Sequence, residues 1–111
     1  MSYKPIKFPA VYLIDNRVAF NTTATKYFDG KPYIRIAKSK SHISFCPSDL
    51  KEEGHSYTIK DKSIRISNSW LIARLGLSKH KYYPLRKRQD GLGYCIRLSE
   101  GMTESEAKDG D

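Results

Sequence analysis

The order of sequence features in residues 11–47 of this 111-residue chain recurs in residues 57–98. Each half has a short β-branched and aromatic run, a turn, a second run, a polar residue, a helical stretch, a glycine and a hairpin. A shift of 46 residues places Gly30 on Gly76. Similarity at a fixed spacing is the signature of a repeated structural unit. The sequence therefore predicts a β-β-α-β-β unit that occurs twice.

Alternating apolar residues predict the second strand of each unit. Val18 and Phe20 in the first copy correspond to Ile64 and Ile66 in the second. A period of two residues is typical of a half-buried strand. The dipeptides that precede these strands favour a tight turn. They are Asp15-Asn16 and Asp61-Lys62.

Polar residues and glycines mark the ends of the two predicted helices. Asn21 and Ser67 follow the second strands, and both are favourable N-cap residues. Gly30 and Gly76 are predicted to end the helices in the left-handed conformation that glycine tolerates. Trp70 lies beside two leucines in the second helical stretch, a setting typical of a core residue.

The second part of each unit is predicted to be a hairpin. Here the spacing between the copies widens, so that Tyr33 corresponds to Tyr82 and His42 to Gly93. Apolar residues flank a polar turn in both hairpins, as expected for paired strands. They are Ile34, Ile36, Ile43 and Phe45 in the first copy and Leu85, Tyr94, Ile96 and Leu98 in the second.

The length allows one domain with one modest core. We expect a mainly β fold with two short helices, in which the tandem repeats form a single small β-barrel-like pseudo-dimer. Acidic and polar residues with few apolar ones predict disorder at the C-terminal end. The predicted segments are an N-terminal extension (1–10), the first repeat (11–47), an acidic connector (48–56), the second repeat (57–98) and an acidic disordered tail (99–111).

Charge is divided unevenly along the chain. The net charge is +8, but residues 100–111 hold five acids and one base, for a net charge of −4. Residues 1–99 therefore carry 19 bases and 7 acids, a net charge of +12. A compact body with this excess attracts polyanions. Nucleic acid is the first partner to expect, and an acidic protein or nucleoprotein surface is the alternative. High charge that serves only solubility is the third interpretation.

Apolar runs, cysteines and catalytic motifs indicate where the protein is located and which chemistry to expect. No apolar run approaches the roughly 20 residues that cross a bilayer, and the N-terminus lacks the apolar region of a secretory signal. The sequence therefore predicts a cytoplasmic protein with no membrane partner. Cys46 and Cys95 are expected to be small buried residues, not a disulfide or metal ligands. No phosphate loop, paired carboxylates or nucleophile elbow is visible, so we expect no enzyme, no cofactor and no metal.

The unit resembles the swapped-hairpin fold of AbrB-like domains, the family of AbrB, SpoVT and MazE-type antitoxins. The matching stretch is residues 16–30 with the strand pair at 33–46, and the resemblance covers residues 11–98 in both copies. It implies two interleaved copies in one small barrel, so that this chain would be a monomeric pseudo-dimer, or a homodimer. The usual proline that opens the family's helix is replaced by Asn21 and Ser67.

The resemblance also implies DNA binding through basic residues around the first turn, the second strand and the short helix. In the first copy these positions correspond to Arg17 and Lys26, and in the second copy to Lys62 and Arg74. The second helix is more apolar than a helix that faces DNA should be.

The densest positive stretch is residues 79–88, with five bases, one histidine, two tyrosines and no acid. Lys31, Arg35, Lys38 and Lys40 form a weaker counterpart in the first half. Such bases neutralise phosphates, and tyrosines between them can stack on unpaired bases. Packing of the two tyrosines into the core or its rim is the interpretation we favour. The predicted nucleic-acid-binding residues are Arg17, Lys26, Lys62, Arg65, Arg74, Lys79, Lys81, Arg86, Lys87 and Arg88.

Two functions from different classes are compatible with these features. The first is a small DNA-binding transcriptional regulator of AbrB-like type, which docks on duplex phosphates and reads sequence or shape through a few arginines. The second is a non-enzymatic protein-interaction module. It would be an antitoxin-like neutraliser or a mobile-element-encoded inhibitor of a nucleoprotein. The acidic tail favours this second class, since it could also shield the basic face.

Overall fold

A computed structural model describes residues 6–28, 31–50, 56–58 and 64–109. Within them the protein is mainly β, as predicted, with three short α-helices where two were expected. The strands are β1 (Ala10–Ile14), β2 (Arg17–Phe20), β3 (Tyr33–Lys38), β4 (His42–Ser48), β5 (Ser56–Thr58), β6 (Arg65–Ile66), β7 (Tyr82–Pro84), β8 (Arg86–Lys87) and β9 (Tyr94–Arg97). The helices are α1 (Thr22–Thr25), α2 (Ser69–Leu75) and α3 (Glu104–Asp109), with 3₁₀ helices at Lys26–Phe28 and Leu98–Glu100.

The strands pair into two antiparallel sheets. One has the order β6-β2-β1-β7 and the other the order β5-β3-β4-β9-β8. Between β7 and β8 the chain passes from the first sheet to the second at Leu85, whose N–H donates to the carbonyl of Pro9 at 2.8 Å. Across the described residues the sheets do not join into one closed barrel, so the prediction of a single barrel is wrong. β7 pairs with β1 in the first sheet, and β8 pairs with β9 in the second. Among the described residues no strand pair links the two sheets.

The core lies between the two sheets and contains buried residues of β1, β2, β3, β4, β6, β7 and β9. Phe20 packs edge-on against Phe28 and Phe45, with ring centroids 5.4 and 5.1 Å apart. The predicted alternation is confirmed at β6, where Ile66 is buried and Arg65 is exposed, whereas β2 buries Ala19 together with Val18 and Phe20. Burial of such apolar surface is the main favourable term in folding.

Local signals in the first half are confirmed where the structure describes them. Asp15 and Asn16 have φ of 49° and 57°, the left-handed turn predicted between β1 and β2. The Asn21 side chain caps α1 by accepting from the Ala24 N–H at 2.9 Å. Gly30 lies outside the described residues. The Asn21 cap therefore confirms where the first helix begins.

The second helix begins one residue later than predicted. Asn68, not Ser67, is its N-cap, because the Asn68 side chain accepts from the Leu71 N–H at 2.9 Å. Gly76 ends α2 in the left-handed conformation at φ 64°, as predicted. The turn predicted at 61–62 lies outside the described residues.

The C-terminal segment packs onto the fold, so the prediction of disorder is wrong for residues 99–109. Met102 exchanges two backbone hydrogen bonds with Tyr82, at 2.8 and 3.0 Å. Ala107 is only 1% exposed. Thr103 and Glu106 form a capping box at the start of α3, in which each residue accepts from the other's backbone N–H at 3.2 Å. Apolar contacts and this cap hold the segment in place.

The boundaries of the predicted connector shift in the fold. β4 runs to Ser48 and β5 begins at Ser56, so strands enter both ends of the segment predicted as the acidic connector. Asp49 pairs with Lys31 at 2.8 Å, and residues 51–55 lie outside the described residues. None of the helices in the described ranges combines the length and the apolar character that crossing a membrane requires.

Candidate nucleic-acid interface

The outer face of the five-stranded sheet has a floor of small side chains. Because alternate residues of β3 enter the core, Arg35 and Ala37 point outward. The register places Arg35 opposite Cys46 and Ala37 opposite Ser44. Ser44 is only 9% exposed. The small residues leave a depression on this face with Arg35 at its margin.

Arg88, which directly follows β8, reaches the same depression from the β8 edge of the sheet. Its N–H donates to the carbonyl of Gly93 at 2.9 Å, and its guanidinium lies 3.9 Å from the Cys46 sulfur. Gly93 has φ of 133°, and a Cβ there would lie 2.8 Å from that sulfur. Only glycine fits both the conformation and the space. Gly93 therefore allows the backbone before β9 to lie against Cys46, the residue that the Arg88 guanidinium also approaches.

The end of α2 supplies the third side. The Lys38 ammonium donates to the carbonyl of Arg74 at 2.8 Å, joining the end of β3 to the last turn of the helix. A cation that satisfies a C-terminal carbonyl also interacts favourably with the helix dipole. This contact brings two cations to one edge of the depression.

Together these groups form a groove of about 360 Å³, which we call the basic groove. Its lining residues are Arg35, Ile36, Ala37, Lys38, Ser44, Cys46, Arg74 and Arg88. None of these lining side chains is acidic, and Asp90 pairs with Arg88 at the rim. Guanidinium groups bind phosphate with two parallel hydrogen bonds. The groove has the charge and size to hold a phosphodiester.

Trp70 borders the basic groove and is not part of the core, contrary to the prediction. It is 56% exposed, and the Arg74 guanidinium lies 5.4 Å from the centroid of its ring. Leu71 and Leu75 are buried in its place. The helix therefore turns its aliphatic pair inward and its indole outward.

On the β8 side of the sheet a tail carboxylate engages a predicted binding residue. Arg86 donates through Nε and Nη2 to the two oxygens of Glu100, both at 3.0 Å. These hydrogen bonds, with charge attraction, raise the pKa of Arg86 above its ordinary value. Lys87 beside it is exposed. The acid of the tail thus neutralises part of the stretch predicted to contact phosphate.

Two other predicted residues, Lys79 and Lys81, line a separate groove of about 420 Å³. It also contains Tyr12 and Tyr82, whose ring centroids are 4.9 Å apart. Tyr83 is buried, with its hydroxyl accepting from the Ser78 N–H. The tyrosines of this stretch therefore pack in the core and at its rim, as favoured from the sequence.

The remaining predicted residues lie elsewhere. Arg17 faces Ile14 at the start of β2, and Arg65 pairs with Ala19 on the four-stranded sheet. Lys26 is exposed on the first 3₁₀ helix, and Lys62 lies outside the described residues. The predicted residues that the structure describes therefore do not lie on one face of the protein.

Of the predicted residues that the structure describes, only Arg74 and Arg88 line the basic groove. The sequence places Arg35 and Lys38 in the weaker counterpart stretch, outside the predicted binding residues. The signal that could have found Arg35 is the strand alternation, which places it outward opposite a small residue. The position of Lys38 depends on a tertiary contact that no local pattern encodes.

Comparisons with protein-family models, with curated proteins and with solved structures find no match for this chain. Among the residues that the structure describes, no three histidine, cysteine or acidic side chains are grouped to hold a metal ion. Both cysteines are free thiols. The geometry and charge of the grooves are therefore the basis for assigning a function.

Proposed function

We propose that the protein binds DNA by docking the basic groove on the phosphodiester backbone. The observation that carries the proposal is the convergence of four cationic side chains, from β3, α2 and the turn after β8, on a small-residue floor. The groove contains no acidic lining residue among the described part of the chain. Contacts of this kind position a protein on DNA without reading sequence.

The charge of the whole body favours this function. Residues 1–99 carry a net charge of +12, which concentrates a polyanion near the surface and speeds its association. Each phosphate that a cation neutralises releases counterions, so affinity falls with salt at a slope of about 0.9 per contact. A groove of four cations can account for several such contacts.

We also propose that the chain is a single-chain pseudo-dimer of AbrB-like type that acts as a transcriptional regulator in the cytoplasm. Two strand pairs support the internal two-fold. Ala19 pairs with Arg65, and the 46-residue shift exchanges these two positions. Ser44 pairs with Cys95, and the wider shift of 51 residues exchanges them likewise. A residue paired with its own counterpart is what a dyad at that point requires.

The pairs away from these points support the same symmetry. Tyr12 pairs with Tyr82, and their counterparts Thr58 and Tyr33 also pair. The pairing of Ala37 with Ser44 has its counterpart in the pairing of Arg86 with Cys95. A two-fold arrangement would suit a duplex, whose half-sites repeat with two-fold symmetry.

The proposal predicts a loss of salt-dependent binding when groove cations are removed. Arg74→Ala and Lys38→Ala should each weaken binding of duplex DNA at low salt. Each should reduce the slope of log affinity against log salt by about 0.9, because one phosphate contact is lost. Fluorescence anisotropy with a labelled duplex across a salt series measures both quantities.

Lys31→Ala is the matched control, since it removes the same charge from a lysine already paired with Asp49 at 2.8 Å. It should change the affinity and slope much less than Arg74→Ala. Absence of binding at low salt, or binding that is independent of salt, would contradict the proposal. Equal effects of the control and groove variants would place the contact elsewhere on the surface.

A protein partner is the second candidate, and the exposed apolar residues favour it. Leu92 is 69% exposed, and its carbonyl accepts from the Cys46 thiol at the edge of the basic groove. Trp70 contacts Arg74, which lines the same groove. Tryptophan and arginine in close contact are typical of interface hot spots. An antitoxin-like neutraliser or an inhibitor of a nucleoprotein would bind an acidic surface here and lose that binding on Trp70→Ala, with DNA binding absent throughout.

A further inference from the structure

We infer that Trp70 completes the basic groove as a stacking platform for an unpaired base, so that the preferred DNA carries a single-stranded segment. This inference rests on the proposed function, because the phosphate contacts come from the same groove. Trp70 is the only tryptophan of the chain. An indole beside a cationic groove is the combination by which proteins hold single strands.

Trp70 is not needed to pack α2 on the core. Leu71 and Leu75, one turn apart, are 3% and 1% exposed and fill the inward face of the helix. Trp70 lies on the outward face with Arg74, also one turn apart. The helix is therefore anchored by its leucines, and the indole is available to a ligand.

The position of Arg74 joins the two parts of the site. Its guanidinium lines the basic groove and lies 5.4 Å from the centroid of the Trp70 ring. It lies over one face of the indole, and more than half of the Trp70 surface is exposed. A phosphate bound by Arg74 therefore brings its own or the adjoining base beside Trp70.

An unpaired base fits this platform better than a paired one. In a duplex the faces of each interior base are already covered by its neighbours, and exposing one costs unstacking and unpairing energy. A single strand, an overhang or an opened pair can stack on the indole without that cost. The platform thus adds a preference that backbone contacts alone do not give.

The aromatic residue near the first helix shows the contrasting arrangement. Tyr27 stacks on Tyr94 with centroids 4.7 Å apart and an interplanar angle of 17°. That ring is engaged within the protein, whereas the Trp70 ring contacts a groove cation. Of these two aromatic residues near the helices, Trp70 is therefore the one to which we assign base stacking.

The test uses the full chain with three probes of about 12 nucleotides: single-stranded oligo(dT), an abasic strand with the same phosphates, and a blunt duplex. Oligo(dT) should quench Trp70 fluorescence and bind about 5- to 100-fold more tightly than the abasic strand. Anisotropy gives the affinities. Trp70→Ala should abolish this difference and leave abasic binding nearly unchanged, while Trp70→Phe keeps part of it.

The outcomes separate this inference from the proposed function. Equal salt-dependent affinity for oligo(dT) and the abasic strand, or saturation without quenching, would overturn the stacking role and leave backbone docking intact. Tighter binding of the blunt duplex than of oligo(dT) would overturn it as well. Failure of all three probes to bind at low salt would overturn both proposals. Equal weakening of both strands by Trp70→Ala, with unchanged melting, would assign the residue a role in the groove's shape and contradict stacking.

Discussion

The two margins of the five-stranded sheet carry similar charges in different electrostatic settings. On the β3 side, Lys38 donates to the Arg74 carbonyl, and these cations line a groove without acidic lining residues among those described. On the β8 side, Arg86 is held by both oxygens of Glu100. The number of cations is therefore a poor guide to a phosphate site. Carboxylates reach both sides, since Asp90 also pairs with Arg88 at the rim of the basic groove. The difference lies at Lys38 and Arg74, whose described contacts are a backbone carbonyl and an indole.

The contrast also changes which cations the acidic tail can neutralise. A disordered tail would sample the whole basic body, but this tail is packed through Ala107 and paired with Tyr82 through Met102. Its carboxylate at Glu100 thus has a fixed target. Removing the tail would disturb packing as well as charge, so single substitutions test its role more cleanly.

The largest effect is expected at Gly93, which shapes the Arg88 wall of the basic groove. Gly93→Ala would place a Cβ 2.8 Å from the Cys46 sulfur and 2.9 Å from the Phe45 carbonyl oxygen, at φ of 133°. Strain and overpacking together should lower the free energy of unfolding by about 2–4 kcal/mol. Urea unfolding followed by circular dichroism measures this change.

Gly91→Ala, in the same turn, is the control for that measurement. Gly91 also has a positive φ of 76°, but a Cβ there would meet nothing within 4 Å. Only backbone strain should appear, at about 1–2 kcal/mol. Equal losses for the two variants would refute the close approach that allows Arg88 to reach Cys46.

A smaller effect is expected from making the β8 side resemble the β3 side. Glu100→Gln removes the charge that neutralises Arg86, so DNA affinity should rise roughly threefold to tenfold at low salt. The slope of log affinity against log salt should steepen by about 0.9, since one more phosphate can be neutralised. The free energy of unfolding should fall by less than about 1 kcal/mol, because the Arg86 side chain is 57% exposed and water screens the pair.

Glu104→Gln is the matched control for that comparison. It removes one negative charge from the same segment, but from a residue paired with Lys108 at 2.8 Å, four residues along α3. A general effect of net charge would raise affinity equally in both variants. That result would show that the β8 side is not a masked phosphate site.

Local patterns predicted most of the first half because short-range physics determines it. The Asp15-Asn16 turn and the Asn21 cap both depend on neighbours in sequence. The tail contained a readable signal as well. Thr103 and Glu106 have the spacing of a capping box, which predicts a helix start.

The groove could not be predicted in this way, because its parts meet only when the sheets and α2 pack. Lys38 and Arg74 are 36 residues apart in sequence and touch at the end of a helix. The outward position of Trp70 has a similar cause. Spacing groups Leu71 with Leu75 and Trp70 with Arg74, but only the packed core decides which pair is buried.

The smallest expected effect concerns the cap that holds α3 and hence the tail. Hydrogen bonds from the Thr103 backbone N–H and hydroxyl, with Lys81 nearby, lower the pKa of Glu106 from its ordinary value. A depressed carboxylate pKa stabilises the fold at pH above the unfolded pKa, and that contribution is lost as pH falls through the folded pKa.

Glu106→Gln keeps an oxygen acceptor but does not titrate. The melting temperature of the wild type should therefore exceed that of Glu106→Gln slightly at neutral pH, and the gap should close as the pH falls below the ordinary range of a glutamate pKa. Thr103→Val, which lacks the donating hydroxyl, should narrow the gap at neutral pH too. A gap that stays constant from neutral to acid pH would mean that the charge of Glu106 does not hold the tail. The engagement of Arg86 by Glu100 would then depend on the packing of Ala107 and the pairing of Met102 alone.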